Sequence, residues 1–193
     1  MEPKLHSLFP KPVYQIPNLH LDKLPETEQV LKNYCELHET KRSNTLNVNS
    51  TAETINTLNK DPKLNYLSKS IFDYSIEFMK TLDYDHHLIE ECKFHKMWFN
   101  ISNENDFLFP HNHGDCLLSG VYYVKAPQNC FLHFYDDPKQ YKIQMQNPNL
   151  FTAEEIAFEC LPGTLLIFKN DMLHGNGLQP AGEKIAISFN IGL

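Results

Sequence analysis

The stretch LLSGVYYVKAPQNCFLHFY, residues 117–135, reads as two short strands and the turn between them. Val, Tyr, Phe and Leu dominate 117–125 and 130–135, and Pro127 and Asn129 interrupt the run. Working outward, similar runs occur at 94–102 (FHKMWFNIS), 156–161 (IAFECL), 164–169 (TLLIFK) and 184–191 (KIAISFNI). Gly, Pro, Asn and Asp separate them, and Pro162-Gly163 marks a turn. Many short strands with no helix between them predict a β-sandwich or jelly roll.

Upstream the periodicity is helical. Residues 26–39 carry Val30, Leu31, Tyr34 and Leu37 at helical spacing, with Pro25 suited to the first turn. In a second helix, Asp61 caps, Pro62 opens, and Leu64, Leu67, Ile71, Phe78 and Leu82 form one stripe. The polar stretch 41–56 reads as a long loop with room for one short helix. The expected architecture is mainly β with N-terminal helices (α+β), the helices packed on one sheet. It forms a single domain over residues 1–193, helical over 20–85 and a sandwich over 90–193.

The 193 residues carry a net charge of −7, which argues against nucleic acid and anionic lipid as partners. No apolar run approaches the roughly 20 residues that span a bilayer, and residues 1–18 lack the apolar core of a signal peptide. Cys35, Cys92, Cys116, Cys130 and Cys160 are odd in number with no close pair spacing, so reduced thiols in a cytoplasm are expected.

The densest chemical cluster is PHNHGDC, residues 110–116. Alternate side chains of an extended segment share a face, so His111 and His113 can point at one ion, as can His113 and Asp115. A distant histidine on a neighbouring strand makes a three-point facial site with open positions. His174, in NDMLHGNG, is the best partner. Singly, such histidines more often cap or bond within loops. His6, His20 and His38 lie in the helical half, His86 and His87 would point apart on a strand, and His133 reads as a structural residue able to reach the interior.

Lys184 lies ten residues beyond His174 and opens the alternating strand KIAISFNI. A cation there can pair with the far carboxylate of a dicarboxylic co-substrate chelated to the metal. Ser188 shares its face by parity. A lysine at a strand edge is ordinarily just solvated, so this reading draws its weight from the histidines.

LFPKPVY (8–14), WFN (98–100), HNH…LSGVYYV (111–124), PGTLLIF (162–168), LHGN (173–176) and KIAISFN (184–190), in this order, resemble a family of 2-oxoglutarate/Fe(II) oxygenases frequent in marine bacteria and their phages. The resemblance implies a double-stranded β-helix, a jelly-roll form, with an HxD…H iron site and a basic residue about ten positions beyond the distal histidine. Carried over, His174 is the distal ligand, and Lys184 stands where most relatives place arginine, giving up the bidentate fork. The first pair is His113 with Asp115 on the superfamily pattern, or His111 with His113 on the closer one; the latter is preferred, with Asp115 as the substitute carboxylate.

The resemblance further implies that Fe(II), 2-oxoglutarate and dioxygen act together, releasing succinate and carbon dioxide while a substrate is hydroxylated. By strand order, Tyr123 can bond a co-substrate carboxylate, and Asn100 and Trp98 can line the substrate pocket. A small molecule or peptide is the expected substrate, and a homodimer is compatible with the composition. Two other readings stand beside this one: a cupin-like three-histidine dioxygenase without 2-oxoglutarate, which needs no cation at Lys184, and a metal-free jelly-roll binding protein.

Overall fold

Along its last strand the chain faces two ways. Ile185, Ile187, Phe189 and Ile191 are buried in a core shared with helices, while Lys184, Ala186 and Ser188 face a cavity on the other side. This period of two is the strand's intrinsic geometry, and it builds the rest of the molecule around one sheet.

The computed structural model describes residues 4, 10–37, 41–42, 48–136, 146–147, 149 and 152–193. In chain order its strands are β1 (Val13–Ile16), β2 (Lys41–Arg42), β3 (Asn49–Ser50), β4 (Lys93–Ser102), β5 (Leu108–His111), β6 (Leu118–Lys125), β7 (Phe131–Tyr135), β8 (Glu155–Glu159), β9 (Leu165–Lys169), β10 (His174–Asn176) and β11 (Lys184–Gly192). The α-helices are α1 (Leu24–Leu37), α2 (Asn65–Thr81) and α3 (His86–Glu91).

Among the described residues the strands form two antiparallel sheets. The larger runs β1-β9-β6-β11-β4-β3-β2 and the smaller β5-β10-β7-β8. Val30, Leu31, Leu64, Leu67, Ile71 and Phe78 of the helical half pack onto one face of the larger sheet, against Leu118, Tyr122, Ile167 and the odd residues of β11. The opposite face, with Val121, Tyr123, Leu166, Phe168 and Ala186, packs on Leu132 and Phe134 of β7. The architecture is therefore the expected jelly roll, with helices on one sheet only.

Two glycines have specific work. An added Cβ at Gly120 would lie 2.2 Å from Phe189 Cζ and 2.5 Å from the Leu166 carbonyl oxygen, so the β6–β11 packing requires its absence. Gly163 adopts φ 78° in the turn closed by Thr164 N–H to the Leu161 carbonyl, 3.0 Å, with Pro162 before it. That is the Pro-Gly order of a type II turn.

Asp61 accepts from the Lys63 amide at 2.8 Å and caps a 3-10 turn, Pro62–Leu64, that leads into α2. His86 and His87 lie in α3, not on a strand, because Asp85 accepts from the amides of His87 and Leu88 and starts a helix there. His133 faces away from the sandwich interior, opposite in parity to Leu132 and Phe134, and pairs with Glu155 on β8. His6 and His38, the end of the helix read over 26–39, residues 8–9 and residues 43–47 lie outside the described residues.

Candidate metal centre

Two strand ends and one loop bring the site together. His111 ends β5 and His174 begins β10, and the two are register partners in the smaller sheet. His113 follows β5 by two residues, and its amide donates to the Asn170 carbonyl at 2.9 Å, tying its loop to the loop before β10. The ligand nitrogens of His111, His113 and His174 lie within 4.8 Å of one another.

Tautomer and protonation suit a metal. Nδ1 of His111 lies 2.9 Å from the Phe109 carbonyl and Nδ1 of His174 2.9 Å from the Met172 carbonyl. A carbonyl only accepts, so each Nδ1 carries the proton and each Nε2 keeps a free lone pair. Burial, reinforced by His111, pushes His174 down to about 3. Burial, with His111 and then Lys96, pushes His113 down to about 4. Both rings are therefore neutral ligands near pH 7. Phe168 packs edge-on against His174 at 4.7 Å between centroids, and Trp98 lies 6.1 Å from His113.

Asp115 does not join this group. The chain turns at Gly114 and Asp115, ending the alternation that would have put Asp115 beside His113, and leaves the carboxylate exposed. The cluster holds three imidazoles and no acid among the described residues.

The histidines open onto a cavity that is continuous with solvent. Trp98, Asn100, Tyr123, Lys184 and Ser188 all line it. The register places Trp98 opposite Ser188, Asn100 opposite Ala186 and Ser102 opposite Lys184, with Tyr123 beside Ala186 on the other flank. Lys184 thus sits two residues along the inner face of β11 from Ala186, beyond the row that holds Asn100 and Tyr123.

Lys184 is 5% exposed, and no acidic side chain among the described residues pairs with it. A buried ammonium with no carboxylate partner, and only the Cys130 sulfur near it, marks a place for an anion. The Tyr123 hydroxyl is buried without a hydrogen-bond partner, as is Asn100 Oδ1, whose amide nitrogen donates to Ser188 Oγ at 3.1 Å. Burial also holds the Tyr123 hydroxyl well above its ordinary pKa, so it stays protonated and able to donate. Three imidazole nitrogens beside a cation with no carboxylate partner and a hydroxyl with no hydrogen-bond partner fit Fe(II) chelated by a dicarboxylic acid. The apolar walls Phe168, Val121 and Leu132 were not singled out in the sequence, although strand parity could have placed the first two on the inner face.

The fold is a double-stranded β-helix, and its three convergent histidines are able to hold a metal ion. The family described as "Putative 2OG-Fe(II) oxygenase" matches residues 96–190, the stretch that carries all three histidines and Lys184. The structure is similar to the viral collagen prolyl hydroxylase of Paramecium Bursaria Chlorella virus-1 in complex with 2OG: TM-score 0.61, 16% identity, covering 93% of this chain and 94% of that one. A Pseudomonas putida prolyl-4-hydroxylase superposes with TM-score 0.64 at 13% identity, covering 94% and 92%. HygX from Streptomyces hygroscopicus, with nickel and 2-oxoglutarate bound, gives 0.62 at 9% identity, covering 94% and 83%. A search of curated protein sequences returned no match. The family match points to an Fe(II)- and 2-oxoglutarate-dependent oxygenase rather than to the cupin-like or metal-free readings.

Proposed function

We propose that His111, His113 and His174 hold Fe(II), that Lys184 and Tyr123 bind the far carboxylate of 2-oxoglutarate, and that the chain hydroxylates a small molecule or peptide. The observation that carries this reading is the buried Lys184 ammonium, with no carboxylate partner among the described residues, lining the same cavity as three convergent imidazoles. The bound metal and co-substrate supply the oxidising chemistry, with succinate and carbon dioxide as by-products.

The chain's own residues position and exclude. Tyr123 donates its hydroxyl and Lys184 its ammonium to a carboxylate, a charge-assisted pair in a partly dry site. Asn100 and Ser188, bonded to each other, form a polar patch on the floor, and Asn100 Oδ1 remains to accept from a substrate N–H or O–H. Trp98 and Phe168 brace the metal-binding rings. With no acidic ligand, the charge on the ion is balanced by the co-substrate, so metal and 2-oxoglutarate should bind cooperatively.

No helix is long and apolar enough to cross a membrane. The five unpaired cysteines suit a reducing cytoplasm, which we take as the working compartment. The test is turnover with iron, ascorbate and 2-oxoglutarate across panels of peptides and metabolites. Succinate formed with His174→Ala as readily as with the native chain would sink this reading.

A further inference from the structure

Beyond the cavity's end, behind Lys184, lies a pair of thiols that the reaction does not use. Cys130 and Cys160 are 2% and 1% exposed. They stand one residue beyond the β7–β8 pair Phe131–Glu159, and the Cys160 amide donates to the Cys130 carbonyl at 2.8 Å. By parity with Leu132 and Phe158, both side chains point into the sandwich. Residues opposite each other on antiparallel strands have Cβ atoms about 4.5–5.5 Å apart, from which small adjustments reach a disulfide's separation of about 3.8 Å.

The surroundings favour charge on one sulfur. The neighbouring Cys160 thiol and then the Lys184 ammonium favour a charge on Cys130, which ionises well below an ordinary thiol while Cys160 is held protonated. Gln179 supplies an independent sign. Its side chain is buried beside Cys130, with Oε1 3.3 Å from the sulfur and Nε2 lacking any partner. As placed, Oε1 needs Cys130 to be a thiol donor. A half-turn of the amide exchanges the two atoms, and Nε2 then donates to a Cys130 thiolate, giving the orphaned amide a partner.

We propose that Cys130 and Cys160 form a peroxide-reactive modification site, closing to a disulfide that bound 2-oxoglutarate opposes through Lys184. The Cys130 thiolate attacks the O–O bond of hydrogen peroxide, forming a sulfenic acid and releasing hydroxide. The Cys160 sulfur then displaces the sulfenic oxygen, which leaves as water with the thiol proton. The two sulfurs lose two electrons and the peroxide gains them. A carboxylate on Lys184 competes with the thiolate for the same cation, so co-substrate binding returns Cys130 to its thiol form and slows the attack. This coupling rests on Lys184 being the co-substrate cation.

The experiment uses nickel-loaded protein, which avoids iron–peroxide chemistry, treated with hydrogen peroxide with and without 2-oxoglutarate. Trp98, the single tryptophan, lines the cavity and reports co-substrate binding by its fluorescence. Peptide mapping should find Cys130 linked to Cys160 with loss of two hydrogens, reversed by dithiothreitol. Closure at neutral pH should be about tenfold slower with 2-oxoglutarate, as for a rise of about two units that carries the thiol's pKa through the working pH. Cys160→Ser should divert Cys130 to sulfinic acid. Oxidation of other cysteines with this pair left reduced overturns the proposal. Equal rates with and without 2-oxoglutarate, while Trp98 registers its binding, overturn the coupling. If Trp98 registers no binding at all, the co-substrate reading has failed instead.

Discussion

His111 and His174 are register partners on adjacent strands, with ring centroids 4.4 Å apart, so backbone pairing sets the approach of the two imidazoles. A site fixed this way does not depend on a mobile loop for two of its three ligands. His111→Ala or His174→Ala should abolish stoichiometric binding of Fe(II), Co(II) or Ni(II), whereas Asp115→Ala should keep it. Calorimetric titration checks this, and loss of metal on removing Asp115 would falsify the all-histidine assignment.

Lys184→Ala should keep the metal and lose the co-substrate. A charge-assisted bond of about 1.5–3 kcal/mol corresponds to roughly a ten- to hundredfold rise in the 2-oxoglutarate concentration needed for succinate formation. Tyr123→Phe removes one neutral donor and should raise it about three- to tenfold. An unchanged requirement in Lys184→Ala would return this lysine to a structural role.

Acid should unfold the metal-free protein early. The folded-state pKa values of His113 and His174, about 4 and about 3, lie below the ordinary value of 6.5. The unfolded chain therefore binds more protons between these limits. The stability each contributes is complete above pH 6.5 and is lost as pH falls toward its folded value, with a combined slope of at most about 2.7 kcal/mol per pH unit. Melting temperatures measured from pH 7 to pH 4 should fall accordingly and flatten in a His113→Gln/His174→Gln double variant.

Gly120→Ala forces a methyl group into the Phe189 ring and the Leu166 carbonyl. Overpacking of this kind costs about 1–3 kcal/mol. The denaturation midpoint should drop with no change in slope, and Phe189→Leu in the same chain should recover part of the loss.

Much of this was legible beforehand because the signals are local. Strands β4, β6, β7, β8, β9 and β11 are runs of aromatic and β-branched residues, and His111, His113, His174 and Lys184 follow from spacing and parity. Strands β5 and β10 were not, since they have four and three residues and contain Pro110 and Gly175, which weaken any strand signal. Asp115 lies apart from the histidines because parity holds only while the chain stays extended, and it turns at Gly114 and Asp115. Cys130 and Cys160 are thirty positions apart, and their proximity is a product of the β7–β8 pairing alone.

Strand β11 is bonded on both sides, to β4 and β6, and its side chains alternate between the helical core and the cavity. A slip of a single residue would drive Ile185 and Ile187 into the cavity and bury the Lys184 ammonium among the helices. The cavity therefore cannot be retuned by sliding this strand. Changes of chain length must be absorbed in the turn before it, around Gly177–Glu183, leaving substitution in place as the route by which such a pocket can diverge.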